Sequence, residues 1–362
     1  MSELRYWVGF NLIPRIGPVR LASLLDYFGD LGSAWHASAT ALRAAGLPQD
    51  ALEQLLYHRT RLDLDAELAK IAKLGLRVLT WESEGYPSLL KNIDHPPPVL
   101  YVRGEVLPSD EWAVAIVGTR LPTPYGKSVA QELARELAAQ GITVVSGLAL
   151  GIDGIAHRAA LEAGGRTLAV LGCGLDIVYP RQHRRLAAQI VESGALLSDY
   201  PLGTKPEAGN FPPRNRIISG LSLGTVVVEA GERSGALITL HFALEQGRET
   251  FAVPGSIYSR QSAGTNAAIQ RGEAKLVTCV QDILEELNIS AVRQQQEMRE
   301  VIPETPTEEA LLAHLQRGEP VHIDELVRLS GMPTAVVSST LALMELKGMV
   351  RRVENMSYVL AH

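Results

Sequence analysis

Residues 113–120 read AVAIVGTR, an apolar run of five residues that ends in a glycine, a threonine and an arginine. The same order of apolar run and glycine-rich turn recurs at residues 142–153, ITVVSGLALGID, and at residues 224–235, GTVVVEAGERSG. Each turn is followed by a segment with helical periodicity. This alternation predicts a doubly wound, Rossmann-like α/β fold with a mostly parallel sheet. The loops at the carboxyl ends of its strands should then open on one crevice.

The composition is that of a globular protein with two or three domains: 362 residues, 46% of them hydrophobic, with a net charge of −6. Residues 103–275 carry 17 Lys and Arg against 16 Asp and Glu, whereas residues 276–362 carry 7 against 13. The acidic excess therefore lies in the C-terminal part of the chain. An anion-binding site in the central part must be a local cluster of charges and not a field over the whole surface.

The two cysteines, Cys173 and Cys279, form no CxxC pair and have no histidine at metal-ligand spacing. This pattern argues against a zinc site and against a disulfide framework. The N-terminus lacks the pattern of a signal sequence, and no apolar run reaches about 18 residues. We therefore expect a reduced, cytoplasmic protein that needs neither a metal nor another cofactor.

Pattern and composition divide the chain into four parts. In order, they are a helical module similar to SAM or helix-hairpin-helix domains (1–65), a Rossmann-like domain (66–288), a linker (289–306) and a winged-helix-like domain (307–362). The glycine-proline turn at residues 17–18 could present backbone N–H groups to a DNA phosphate. Because the helical module is not basic, we favour a docking role for it. The winged-helix-like domain is acidic, which favours protein contact or regulation over reading of a major groove.

The sharpest candidate site is residues 210–216, NFPPRNR, which follow a polar loop that begins at Asp199. The candidate contacts of this loop and segment are Lys205, Phe211, Arg214, Asn215 and Arg216. An exposed phenylalanine beside arginines can stack on an unpaired base, whereas the bases of a duplex are already stacked on one another. The site therefore favours single-stranded nucleic acid. The alternative is that Phe211 fills the core while the arginines form buried ion pairs.

Three further loops follow predicted strands and offer small residues to an anion. They are Gly118-Thr119-Arg120, Ser146-Gly147 and Ser234-Gly235. Small residues let backbone N–H groups approach a phosphate, an arginine can hold its oxygens in bidentate fashion, and a serine hydroxyl can donate to them. Each loop equally fits an ordinary tight turn before a helix.

Acid–base chemistry is a weaker interpretation of the same loops. Asp153 stands at a predicted helix start, where it suits an N-cap, and His157 follows it by one turn. No nucleophile or metal cluster accompanies this pair, so we predict no catalytic residue. Glu229 could hold an arginine or act as a catalytic carboxylate. Residues 172–174, GCG, lack the third glycine of a dinucleotide fingerprint.

Together these segments resemble the DprA family, also called Smf, the DNA-processing proteins of bacterial natural transformation. The matching segments are AIVGTR (115–120), SGLALGID (146–153), FPPRNRIIS (211–219), EAGERSG (229–235), GRE (247–249), VPG (253–255) and GTN (264–266). The resemblance implies a protein that binds single-stranded DNA without sequence preference and loads the RecA recombinase onto incoming strands. It also implies a homodimer formed through the Rossmann-like domain, and no catalytic turnover. By motif, it places Arg120, Phe211, Arg214, Asn215, Arg216 and the glycine turns in the DNA pocket.

The chain departs from the family at one place. Some members have a basic residue close before the phenylalanine, where this chain has Glu207, Ala208 and Gly209. The nearest lysine is Lys205, and whether it takes that place is open. A rival interpretation is a phosphoribohydrolase-like enzyme on free nucleotides, in which Glu229 and an arginine would cleave an N-glycosidic bond. A third is a scaffold that joins partner proteins through its end domains.

Overall fold

The computed structural model describes residues 2–288, 305–315, 320–346, 350–353 and 356–360. The chain forms two compact units, Met1–Leu287 and Asn288–His362. The first unit contains the N-terminal helices together with the large α/β sheet, and the candidate site residues all lie in it.

Six helices precede the sheet in the first unit. They are α1 (Ser2–Asn11), α2 (Pro18–Phe28), α3 (Leu31–His36), α4 (Ala39–Ala44), α5 (Gln49–Arg59) and α6 (Leu64–Lys73). The glycine-proline turn starts α2, with Gly17 as its N-cap and Pro18 in its first turn. A proline is tolerated there because the first N–H groups of a helix have no intrahelical acceptor.

The helices and the sheet share one apolar core. Trp7 and Phe10 of α1 belong to the same buried cluster as Tyr101, which lies in the sheet. Asn11 adds a polar link, since its Nδ2 donates to the backbone oxygen of Asp199 at 3.2 Å. The N-terminal helices are therefore part of the compact unit that carries the candidate site.

Nine strands form one sheet. They are β1 (Arg77–Thr80), β2 (Val99–Gly104), β3 (Ala113–Val117), β4 (Thr143–Ser146), β5 (Thr167–Val170), β6 (Ala195–Ser198), β7 (Gly224–Val227), β8 (Glu249–Ala252) and β9 (Lys275–Leu276). Their order is β1-β2-β6-β5-β4-β3-β7-β8-β9. All neighbours from β6 to β9 are parallel, while β2 joins β6 and β1 joins β2 in antiparallel fashion. The chain moves from β3 to β4 on one side and later returns to the other side as β7, so the topological switch point lies between β3 and β7.

Helices connect the strands and cover the sheet. They are α7 (Ser88–Lys91), α8 (Pro124–Ala139), α9 (Ile152–Glu162), α10 (Arg184–Ser193), α11 (Phe211–Gly220), α12 (Gly235–Glu245), α13 (Ala263–Gln270) and α14 (Val280–Glu286). All five residues of β3 are buried. An uninterrupted apolar strand of this kind is typical of a parallel sheet covered on both faces.

The predicted Rossmann-like, mostly parallel sheet is confirmed. The three quoted apolar runs form β3, β4 and β7, and a helix follows each of them, namely α8, α9 and α12. No helix was predicted for residues 211–220, which form α11. Pro212 and Pro213 lie in its first turn, where they remove no intrahelical hydrogen bond.

The second unit has the order of elements predicted for a winged helix. Its described elements are α15 (Pro306–Leu312), β10 (Val321–His322), α16 (Ile323–Ser330), α17 (Thr334–Leu346), β11 (Val350–Val353) and β12 (Ser357–Leu360). The short strand β10 was not predicted; it pairs with β12 and completes a three-stranded sheet. Residues 289–304 of the predicted linker lie outside the described residues.

No single described helix combines the length and the apolar character needed to cross a membrane. One pair of consecutive helices, Ile323–Ser330 and Thr334–Glu345, meets those two criteria jointly, although the pair is bent by 115°.

Candidate functional site

A groove opens at the switch point between β3 and β7. Its volume is about 560 Å³, within the range of about 300–1,000 Å³ that is usual for ligand sites. The loop after β3 and the first turns of α11 and α12 form most of its wall. Of the predicted site residues, it brings together Gly118, Thr119, Arg120, Phe211, Arg214, Asn215, Ser234 and Gly235.

Phe211 forms an aromatic shelf in this groove together with Tyr179. The Phe211 ring is only half-buried, and the Tyr179 ring lies 5.8 Å from it with an angle of 35° between the ring planes. Gly172 makes room for Phe211, because a β-carbon at Gly172 would come within 2.9 Å of the Phe211 ring. The Phe211 ring therefore packs over Gly172 on one side and faces the groove on the other. This position excludes the alternative that Phe211 fills the core.

Tyr179 was missed by sequence reasoning. It is 42% exposed and lies in the loop after β5, some 30 positions before its ring partner Phe211. No local pattern distinguishes it from other loop tyrosines. The only available signal was an aromatic residue next to a proline in a loop at the carboxyl end of a strand.

The two arginines nearest the shelf have different environments. Arg120 is exposed, and its guanidinium carbon lies 5.7 Å from the centre of the Phe211 ring. Arg214 lies 5.8 Å from the same ring, yet it is only 4% exposed. Its Nη1 donates to the backbone oxygens of Gly147, at 2.9 Å, and of Val170. Arg120 is thus free to meet a ligand, whereas Arg214 ties the groove floor together.

Gly147 separates Arg214 from a buried carboxylate. A β-carbon at this position would lie 2.7 Å from Nη2 of Arg214 and 2.8 Å from Oδ2 of Asp153. The Asp153 carboxylate accepts hydrogen bonds from the backbone N–H groups of Gly147 and Ala149, at 3.1 and 3.3 Å. Burial raises the pKa of Asp153 and lowers that of Arg214, while each charge opposes the shift of the other. The absence of a side chain at Gly147 therefore leaves room for both buried charges beside its backbone.

Asn215 and Ser234 organise the helix starts at the groove. Asn215 accepts from Nε of Arg214 at 3.2 Å and donates to the backbone oxygen of Gly235 at 3.3 Å, so it links α11 to α12. The Ser234 hydroxyl oxygen caps α12 by accepting from the N–H of Ala236 at 3.3 Å. Both helices thus begin at the groove, where their N-terminal dipoles favour an anion.

Four predicted site residues, Ser146, Gly147, Lys205 and Arg216, are not among those that line the groove. The Ser146 hydroxyl is fully buried and donates to the backbone oxygen of Ile116 at 2.6 Å, so the predicted donation to a phosphate does not fit its position. Arg216 forms an ion pair with Asp199 at 3.0 Å and lines a different depression. Lys205 is exposed in the loop before Phe211, and its backbone oxygen accepts from Asn210.

Glu229 has a structural role. It is 1% exposed and accepts hydrogen bonds from both the backbone N–H, at 2.9 Å, and the hydroxyl of Thr123 at the start of α8. Neither of the two predicted uses, a hold on an arginine or a catalytic carboxylate in the groove, fits this position. The position also removes the residue on which the phosphoribohydrolase-like interpretation depended.

Asp153 and His157 do not form an acid–base pair open to a substrate. The N-cap of α9 is Gly151, not Asp153 as predicted. His157 is fully buried, and its Nδ1 lies 2.7 Å from the hydroxyl of Thr167. The Thr167 hydroxyl donates its one proton to the backbone oxygen of Val144. Nδ1 of His157 must therefore carry a proton and donate it to the Thr167 oxygen.

The buried His157 predicts a loss of stability in acid. Burial, with the nearby His183, lowers its pKa to about 3. In the unfolded chain His157 binds a proton below about pH 6.5, whereas in the folded protein it stays neutral down to about pH 3. The free energy of unfolding therefore falls as the pH drops from about 6.5 towards 3. We expect a loss of about 1.4 kcal/mol by about pH 5.5 from this residue, measured by urea unfolding.

A comparison of variants isolates this contribution from those of other titrating groups. His157→Gln should lack it, so that its unfolding free energy changes less than that of the wild type between about pH 7.5 and 5.5. The matched control is His241→Gln, since the His241 side chain is 55% exposed. The explanation fails if the free energy of unfolding of His157→Gln falls between these pH values by as much as that of the wild type and of His241→Gln.

The described residues contain no group of three or more His, Cys, Asp or Glu side chains placed to hold a metal ion. Cys173 is buried with its Sγ directed at the backbone oxygen of Ile177 at 3.3 Å, and burial raises the pKa of its thiol to about 11. The groove itself presents one exposed arginine, two rings and helix N-termini. This arrangement can bind an anion and a flat ring side by side.

The fold and the groove thus define a Rossmann-like protein whose switch point carries a groove with an exposed arginine and two aromatic rings. The chain belongs to the DNA recombination-mediator protein A family, whose model matches residues 77–288. The DprA winged helix domain matches residues 295–356.

Relatives and solved structures support this membership. Protein Smf of Synechocystis sp. is 34% identical over 99% of this chain and 98% of its own length. DNA processing protein DprA of Bacillus subtilis is 47% identical over 61% of this chain and 74% of its own. The X-ray structure of DprA from Streptococcus pneumoniae has a TM-score of 0.68 at 34% identity and covers 78% of this chain and 97% of that one. DNA processing protein A from Helicobacter pylori, studied for its single-stranded DNA binding mode, has a TM-score of 0.54 at 33% identity and covers 59% and 96%.

Proposed function

We propose that this protein is a sequence-independent, single-stranded DNA-binding protein that acts in DNA processing and recombination by binding and not by catalysis. The observation that carries the proposal is the Phe211 ring, which is half-buried at its base and open to a groove that also holds Arg120 and Tyr179. The family membership and the Helicobacter pylori relative's single-stranded DNA binding support the same conclusion.

The shelf suits an unpaired base better than a duplex. A base that is already stacked between its neighbours has no free face for Phe211 or Tyr179. Stacking on an aromatic side chain contributes about 1–3 kcal/mol per base and depends little on the sequence, because every base has a flat face. Binding through this shelf should therefore tolerate any sequence and require a single strand.

The groove wall suits a sugar-phosphate chain. Arg120 offers an exposed guanidinium beside the shelf, and α12 directs its N-terminus at the same space. Asp153 is the only carboxylate among the described residues that line the groove, and its Oδ2 accepts from the backbone N–H groups of Gly147 and Ala149. Negative charge on a ligand would thus meet donors and little opposing charge.

We further propose that the protein protects incoming single-stranded DNA in natural transformation and loads a RecA recombinase onto it. We also propose that two copies of the protein associate through the Rossmann-like domain. These parts follow from membership in the recombination-mediator family and from relatives named for DNA processing.

The proposal is tested by competition between single-stranded and double-stranded DNA for the full chain. We expect labelled oligothymidylate to be displaced far better by single strands of any sequence than by a duplex of equal length. The logarithm of the affinity should fall linearly with the logarithm of salt concentration, with a slope of about −0.7 per phosphate contact. Equal competition by the duplex, or an affinity independent of salt, would reject the proposal.

A further inference from the structure

A second depression adjoins the groove on the side of α8 and α9. This trough has a volume of about 430 Å³. It is lined by Arg120, Leu121, Pro122, Lys127, Leu150, Gly151, Ile155 and Arg158. Arg120 and Leu121 also line the groove, so the two depressions share a wall. A polymer that leaves the groove over Arg120 enters the trough without crossing another ridge of the fold.

The charged residues that line the trough are all cationic, and the others are uncharged. Arg120, Lys127 and Arg158 are its only charged residues, and all three are exposed. In the part of the chain that the structure describes, none of the three forms an ion pair. Arg216, by contrast, is held by Asp199 at 3.0 Å. Three uncompensated cations around one depression constitute a local anion-binding surface on a protein whose net charge is negative.

The position of Lys127 is unfavourable for the helix that carries it. Lys127 lies in the first turn of α8, which contains no acidic residue. The N-terminal end of a helix has a partial positive charge, so a lysine there is repelled and not stabilised. A residue that breaks a local rule without a visible structural gain is more readily explained by function than by folding. Lys127 therefore supports the interpretation of the trough as a binding surface.

The wall between groove and trough is rigid. Gly151 has a φ of 82°, and a β-carbon there would collide with the backbone of Thr119 and Arg120. The N–H of Ile152 donates to the backbone oxygen of Thr119 at 3.2 Å. The loop that carries Arg120 and the start of α9 are thus locked together.

We propose that the trough carries the continuation of the DNA strand, with Lys127 and Arg158 each neutralising a phosphate outside the groove; this rests on the proposed function of the groove. Leu121, which is 81% exposed at the junction, offers an apolar surface to the sugars or bases that pass over it. The strand thereby occupies two compartments. Stacking dominates in the groove, and charge neutralisation dominates in the trough.

The test compares oligothymidylates of about 6 and about 24 nucleotides, lengths that fall near and beyond the site sizes of single-strand-binding folds. The double variant Lys127→Gln with Arg158→Gln should bind the short strand like the wild type. It should bind the long strand about tenfold more weakly and show a salt slope smaller by about 1.4, which corresponds to two phosphate contacts. The melting temperature should stay unchanged or rise, because Lys127 opposes the dipole of its helix.

Arg135→Gln is the matched control, because Arg135 lies on the same helix and is exposed but does not line the trough. It should leave both affinities and the salt slope unchanged. The proposal is overturned if the double variant matches the wild type at both lengths, or if it loses affinity equally at both, since the latter indicates a general field. Competition by polyglutamate as strong as that by oligothymidylate would also overturn it, in favour of an acidic protein segment.

The same experiment separates the trough from the groove. If Phe211→Ala weakens binding at both lengths while the double variant has no effect, only the trough proposal fails. If the wild type binds neither strand, the proposed function fails and the trough proposal with it.

Discussion

Replacing Arg214 with alanine is expected to destabilise the first unit by about 3–5 kcal/mol. The guanidinium is buried and donates to the backbone oxygens of Gly147 and Val170, at the ends of two neighbouring parallel strands. Its removal leaves these two acceptors without the donor. It also leaves the buried Asp153 carboxylate without its nearest opposing charge. Urea unfolding should show the loss as a lower midpoint at an unchanged slope.

A double-mutant cycle tests the electrostatic part of this explanation. Asp153→Asn removes the second buried charge, so the double variant with Arg214→Ala should be more stable than the sum of the two single losses predicts. Arg135→Ala serves as the control for an exposed arginine and should change stability by no more than about 0.5 kcal/mol. If Arg214→Ala instead kept the wild-type stability and lost only DNA affinity, Arg214 would be a direct ligand contact and not a support of the groove floor.

The difference between Arg120 and Arg214 shows where sequence reasoning ends. Both arginines follow small or rigid residues near predicted strand ends, and both were predicted to contact DNA. Their burial differs because Arg214 lies on the fourth position of α11 and faces the sheet, whereas Arg120 lies in a loop that faces solvent. The sequence did not reveal this difference in burial, because no helix was predicted for the segment that carries Arg214. The helix itself was detectable, because consecutive prolines are compatible with a first turn.

The sheet and the glycine turns were predictable for a different reason. Apolar runs of four to five residues that end in glycine are local signals, and the loop positions follow from the rule that parallel strands present their carboxyl ends on one side. The shelf partner Tyr179 and the trough residue Arg158 depend on contacts between loops and helices far apart in the chain. Periodicity and spacing carry no information about such contacts.

Replacing Phe211 with alanine is expected to weaken binding of single-stranded DNA by about 1–3 kcal/mol, the contribution of one stacked base. Phe211→Leu should lose nearly as much, because leucine keeps apolar volume over Gly172 but has no flat ring face. Phe211→Trp should retain the affinity. Fluorescence anisotropy with oligothymidylate measures all three. Tyr57→Ala is the control, since Tyr57 is 55% exposed and lies on α5 among the N-terminal helices.

The salt dependence distinguishes stacking from every charge-based explanation of the same loss. Phe211 carries no charge, so the Phe211→Ala variant should release as many counterions on binding DNA as the wild type does. The substitution should therefore lower the affinity by the same factor at each salt concentration. Arg120→Gln should reduce the slope by about 0.7 as well as the affinity, because it removes one phosphate contact. If Phe211→Ala altered the slope as Arg120→Gln does, the ring would be acting by positioning the arginine beside it. An unchanged affinity in both Phe211→Ala and Phe211→Leu would show that no base stacks on the Phe211 ring.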